Sequence, residues 1–133
     1  MPANTSPIFT LTPHISSARI ATANTNRDGT GTLGSVATGA TNGTRIDRVT
    51  ISATSTTTAG MVRLFIDDGA ANIRLIREIP VTAATPSGTV QAFFYEFART
   101  DTYPVEVLPS GYILKAGTNN AESFDVVAHG GDF

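Results

Sequence analysis

The chain has 133 residues, with 9 Lys and Arg against 11 Asp and Glu, a formal net charge of −2 and 15% charged residues; it offers no basic field to hold nucleic acid or an anionic membrane. It has no cysteine, which excludes a disulfide framework, thiolate catalysis and a thiolate zinc site. The length suits one domain burying roughly 65–70% of its unfolded surface; with no run near the roughly 20 apolar residues of a membrane span and no basic-then-apolar leader, it reads as soluble and unprocessed.

Met1 to Ser17 is polar and proline-spaced, at Pro2, Pro7 and Pro13, yet carries Ile8, Phe9, Leu11 and Ile15. This predicts an extended N-terminal arm over 1–17 whose apolar residues dock on a neighbouring subunit, ahead of a β-sandwich over 18–133. Removing Met1 to Ser16 should then leave the sandwich folded but weaken its attachment. Arg19 to Ala23 reads as a first strand, Asn24 to Gly31 as a polar turn-rich loop, and Leu33 to Thr38 as a weak second strand.

Thr44 to Thr54 places Val49, Ile51 and Ala53 on one face and Arg48, Thr50 and Ser52 on the other, the period of two of a half-buried strand. Met61 to Asp67 alternates in the same way. Asn72 to Val81 returns from it as a hairpin, with Ile73, Leu75 and Ile79 on one face. Thr89 to Ala98 has Phe93, Tyr95 and Phe97 on one face and Val90, Ala92 and Phe94 on the other, so both faces are expected to be covered, one of them by another subunit or the arm. Pro104 to Leu108, Tyr112 to Ala116 and Ser123 to His129 complete eight or nine short strands.

Threonine, about one residue in six, suits a pleated surface, and Pro80, Pro86, Pro104 and Pro109 exclude long helices from the second half. The expected fold is all-β: an antiparallel β-sandwich, jelly-roll-like. Its expected core is Val49, Ile51, Val62, Leu64, Ile66, Leu75, Ile79, Phe94 and Val126.

No arrangement of chemical residues stands out. Asp28-Gly-Thr-Gly31 and Asp67-Asp68-Gly69 lack the alternate carboxylates of a Ca²⁺ loop and read as turns. His14 and His129 lie at opposite ends of the chain, which disfavours a shared metal site. No Gly-x-Ser-x-Gly elbow marks a nucleophile, and Gly29-Thr-Gly31 and Gly130-Gly131 lack the features of a phosphate loop. The expectation is a protein without catalytic residues, metal or cofactor. Tyr95, Tyr103 and Tyr112 with Phe93 and Phe97 leave a sugar-stacking platform as the alternative to a core or subunit interface.

Three blocks carry a resemblance: Thr22-Ala-Asn-Thr-Asn-Arg-Asp-Gly-Thr-Gly31; Thr58-Ala-Gly-Met-Val-Arg-Leu-Phe-Ile-Asp-Asp-Gly69; and Leu108-Pro-Ser-Gly-Tyr112 with the ending Ala128-His-Gly-Gly-Asp-Phe133. Together they resemble small virion structural proteins of tailed bacteriophages. The resemblance implies a capsid decoration or cement protein, often a homotrimer, bound to the major capsid protein on the virion surface and made in the bacterial cytoplasm. The expected partner-binding residues are Ile8, Phe9 and Leu11 of the arm and Phe93, Tyr95 and Phe97 of the aromatic stripe. A tail- or fibre-associated receptor-binding sandwich that contacts host glycans is the other reading.

Overall fold

A computed structural model of the chain describes residues 9–98 and 105–133. The strands are β1 (Thr12–Ile20), β2 (Gly34–Thr38), β3 (Thr44–Ala53), β4 (Gly60–Asp67), β5 (Ile73–Val81), β6 (Phe94–Ala98), β7 (Glu106–Leu108), β8 (Ile113–Thr118) and β9 (Phe124–Asp132). No helix occurs among the described residues.

The strands form two antiparallel sheets packed as a β-sandwich. One has the order β1-β9-β3-β6, with β7 also on β3; the other has the order β2-β8-β4-β5. β6 pairs with Arg48–Ser52 and β7 with Thr44–Ile46, both antiparallel to β3. They thus follow one another along a single edge and occupy the place of one strand. Among the connections between strands of different place, only β4 to β5 stays within its sheet; the chain otherwise passes from sheet to sheet.

Alternation explains why these segments lie as they do. In β3, Ile46, Val49 and Ile51 are fully buried between the sheets, where they meet Val62, Leu64, Leu114, Ala116, Phe124 and Val126. Two expected core residues are corrected. Leu75 leaves the core because β5 carries a bulge: Leu64 pairs with Arg77 but Phe65 with Leu75, so Ile76 is the extra residue and the strand changes face there. Ile79, beyond the bulge, stays inside. Phe94 is 46% exposed; its neighbours Tyr95 and Phe97 pair with the inward Ile51 and Val49, and antiparallel partners share a face.

The N-terminal region also differs. Thr12–Ser17, expected within an arm, forms most of β1, which pairs with β9 from Thr12↔Asp132 to Ile20↔Phe124. The first strand therefore lies earlier than Arg19 to Ala23. Residues 1–8 of the expected arm lie outside the described residues. Ser87 ends the expected early part of β6: its hydroxyl accepts the N–H groups of Thr89 and Val90, and its own N–H donates to Val90 O.

One strand is buried on both faces. Val62 and Leu64 of β4 point into the sandwich, yet Arg63 and Phe65, on the other side, are only 3% and 1% exposed. The β1–β2 connection lies against that side. Ala23 bridges to Thr118, and Asn24 N–H donates to Thr118 O at 2.8 Å. The Asn24 amide donates to Thr30 O and Thr32 O, and its oxygen accepts Asn26 N–H. Gly29, at φ 89°, lies so close to Ile73 that an added Cβ would be 2.7 Å from the Ile73 Cβ, so both its backbone conformation and its space require glycine.

Arg63 joins this cover to the sheet. Its Nε donates to Glu78 Oε1 at 3.0 Å, and its terminal nitrogens reach Asn24 O and Asn119 Oδ1. Arg27 of the covering loop pairs with the same Glu78 oxygen.

Candidate functional site

The most exposed large apolar side chains among the described residues lie just before and within the first half of β1: Phe9 is 71%, Leu11 83% and Ile15 72% exposed. Leu11 is held at the sheet by its N–H, which donates to Asp132 O at 2.7 Å. Phe9 and Leu11, expected as partner-binding residues, are thus on the surface beside a sheet edge, and Ile15 joins them. Ile8, the third of that group, lies outside the described residues.

Ile15, Ser17 and Arg19 alternate outward, while Ser16, Ala18 and Ile20 turn toward the other sheet, where an added Cβ on Gly34 would strike Ile20 and Ala18. The registers set three rows across the outer face: Ile15, His129, Arg48 and Ala98; Ser17, Val127, Thr50 and Glu96; Arg19, Asp125, Ser52 and Phe94. Arg19 Nε meets Asp125 Oδ1 at 2.7 Å, and this guanidinium holds the Asp125 carboxyl below the usual carboxylate range. Arg48 lies 3.9 Å from Glu96 and 3.4 Å from His129 Nδ1. The charges on this face are paired within it.

The aromatic stripe lies elsewhere. Phe93 is buried and meets Phe124 edge to face, with ring centroids 6.2 Å apart. Tyr95 and Phe97 pack against the core with centroids 6.0 Å apart, and the Arg77 guanidinium covers Phe97 at 4.6 Å. The structure brings these three together, but turned into the sandwich and away from Phe9 and Leu11. The large apolar residue that this strand leaves outside is Phe94.

A polar network joins the ends of the first sheet. His14 Nδ1 lies 3.1 Å from Asp132 Oδ1, His14 Nε2 lies 2.8 Å from Ser16 Oγ, and Thr44 Oγ1 donates to Asp132 Oδ1 at 2.6 Å. Thr44 Oγ1 in turn accepts Ala40 N–H. With the imidazole proton on Nδ1, these bonds run from serine hydroxyl to imidazole to carboxylate, the order of an activated nucleophile. Here the serine faces inward from a strand, and the network ties β1 to β9 and to the turn before β3. Sequence reading missed it because Asp132 is remote in the chain; the trace it left was the His-x-Ser spacing, which puts both side chains on one face of a strand.

The acidic turns hold themselves. Asp28 accepts the Thr30 hydroxyl at 2.6 Å and the Thr30 N–H at 3.1 Å, and these bonds lower its pKa. Asp68 accepts from the Asn72 side chain and from Ala70 N–H, with the same effect. Asp67 accepts Gly69 N–H and meets Lys115 Nζ at 3.0 Å, and both lower it. Among the described residues no three His, Asp or Glu side chains converge as a metal site would require.

Glu78 is lowered chiefly by Arg27, then by Arg63. Each of these carboxylates binds its proton at a lower pH folded than unfolded, so its stabilisation is fully present above the unfolded value and is lost as pH falls through the folded one. The ordinary values are 3.8 for Asp and 4.5 for Glu. The urea midpoint should therefore hold steady above about pH 5 and fall below about pH 4. In Glu78→Gln that fall should be shallower; a decline identical to the parent's would remove Glu78 from the account.

Searches against protein-family models and against curated proteins return no match to this chain, so its own residues carry the functional argument.

Proposed function

We propose that this chain is a non-enzymatic structural protein of a tailed-bacteriophage virion, which decorates or cements the capsid by bridging its subunits. The observation that carries the reading is the exposure of Phe9, Leu11 and Ile15 along one sheet edge, while most other large apolar side chains among the described residues are buried. Exposed apolar side chains beside an open edge are what an attachment surface needs: backbone groups for affinity and apolar anchors for specificity. The partner we propose is the major capsid protein, and the location is the virion surface.

The topology supports this reading. With β6 and β7 counted as one strand, each sheet has four strands, in the orders β1-β9-β3-β6 and β2-β8-β4-β5. We read this as a jelly roll, an architecture used in viral capsids among other settings. The sugar-stacking alternative is less well supported, because Phe93 is buried and Tyr95, Phe97 and Tyr112 pack against the core; Tyr103 lies outside the described residues.

Because β1 begins at Thr12, removal of Met1 to Ser16 would take strand residues with it and is no longer a test of attachment alone. Removing residues 1–10 preserves β1. The truncated protein should melt as the full chain does and bind undecorated phage heads at least about tenfold more weakly in a co-sedimentation assay. Undiminished head binding would remove this segment from the attachment surface, and failure of the full chain to bind heads would overturn the capsid reading.

A further inference from the structure

Sheet edges invite pairing with other chains unless something blunts them. Three edges here are blunted. The pairing along β3 is split between β6 and β7; β2 has five residues and a register shift between Ser35 and Ala37; and β5 carries its bulge, Pro80 and the exposed Arg74 and Arg77. β1 differs beyond Pro13, the one such device it carries: it pairs with β9 over nine residues without a register shift. Its one Arg, Lys, Asp or Glu is Arg19, already paired with Asp125.

The hydrogen bonds fix which β1 groups face the open side. Phe133 N–H donates to Gly43 O and Thr54 N–H to Ser123 O, which makes Thr44↔Asp132 and Ala53↔Phe124 non-hydrogen-bonded pairs. The backbone groups of Asp132 and Phe124, and of the even-numbered β9 residues between them, are therefore turned to β1, where their partners are Thr12, His14, Ser16, Ala18 and Ile20. The odd-numbered residues point the other way. Pro13, which has no N–H, occupies such an outward position, where a sheet tolerates proline. Ile15, Ser17 and Arg19 are left with outward N–H and C=O groups.

We propose that β1 is a homodimerisation edge, at which a second copy pairs antiparallel about a two-fold axis through Ser17. Ile15 then lies opposite Arg19 of the second copy, and Ser17 opposite its counterpart. Every outward N–H of this stretch meets a carbonyl. The neighbouring registers oppose Pro13 to Arg19, which loses a donor, or Ile15 to Ala21, which lies beyond the strand.

Side chains fit the same register. Partners in an antiparallel pair share a face, so Ile15 of the second copy arrives on the outer face beside Arg19. A shallow depression of about 390 Å³, lined by Ser17, Ala18, Arg19, Asp125 and Val127, lies on the same outer face at the β1–β9 seam, one strand in from that Ile15. The arginines of the two copies do not face one another. The contact is isologous and closes at two copies, which departs from the homotrimer implied by resemblance.

In the dimer the second copy takes the β1 edge and Ile15, which leaves Phe9 and Leu11 for the capsid contact proposed above; the dimer is tested without phage particles, so its failure and that of the head-binding assay are told apart. The full chain is sedimented over a concentration series beside Ser17→Pro and Ile15→Lys. Ser17→Pro removes an outward N–H and leaves the β9 ladder its donors; Ile15→Lys sets a second cation directly opposite Arg19 of the other copy. The parent should sediment as a dimer at micromolar concentration, and each variant should raise the dissociation constant at least about tenfold with its circular dichroism unchanged. If Ser17→Pro fails to fold, Ile15→Lys decides. A parent that stays monomeric to about 100 µM, a trimer, or a dimer that survives in the folded variants would overturn the proposal.

Discussion

Gly130→Ala should destabilise the protein by about 3 kcal/mol or more and lower its melting temperature by about 10 °C or more. Gly130 lies in β9 opposite Ile46, where the β3 register shifts between Ile46 and Arg48. A Cβ built there would be 1.8 Å from Arg45 O, 2.8 Å from Arg45 C and 3.0 Å from Ile46 Cα. These are backbone atoms, so no rotamer change relieves the overlap, and the central ladder of the sheet must open. Gly88→Ala is the control: nothing lies within 4 Å of a Cβ there, and its melting temperature should match the parent's. Equal melting of Gly130→Ala and the parent would mean that β3 and β9 do not approach as described.

Phe124→Ala should cost about 3–5 kcal/mol, the range for a large side chain removed from a core. Phe124 is 1% exposed and holds Phe93 edge to face, so its loss opens a void between the sheets and leaves a second ring without its neighbour. Phe94→Ala should cost less than about 1 kcal/mol, because that ring is 46% exposed. Urea unfolding of the two variants reads the difference directly. The comparison also fixes which face of β6 is inside: a larger loss in Phe94→Ala than in Phe124→Ala would reverse the orientation of the aromatic stripe.

The strands were most legible where one face is wet and the other dry. β3 is the clear case, since Val49 and Ile51 alternate with Arg48, Thr50 and Ser52, and period two is the local signature of that arrangement. β5 was legible as a strand but not in its facing, because a bulge leaves no mark in an apolar pattern: Ile73, Leu75, Ile76 and Ile79 are consistent with either side.

β4 was half legible. Its inward Val62 and Leu64 were evident, whereas the burial of Arg63 and Phe65 comes from a polar loop that returns over them, a long-range event with no local signal. β6 misled because apolar residues on both faces leave the choice of inner face to the partner strand, and only the pairing with β3 decides it. β1 was missed for most of its length because Pro13 reads as a strand breaker in isolation. Its outward placement on an edge, which makes it harmless, is a property of the sheet. Of the expected surface, Phe9, Leu11 and Ile15 were legible as apolar residues in a polar stretch, while the open backbone groups beside Ile15 required the register.

The position of β9 has a consequence for how the molecule comes into being. Phe124–Asp132 lies between β1 and β3, so the last of these nine strands to be synthesised joins the first two of its sheet. Until it leaves the ribosome, β1 has no neighbour in its own sheet and β3 keeps one side open. Long-range pairing of this kind is slow to nucleate, and nascent chains waiting for it expose unpaired strands that favour association. The sheet closes only after translation reaches the end of Phe124–Asp132, and a chain halted before that stretch retains strands without their central partner.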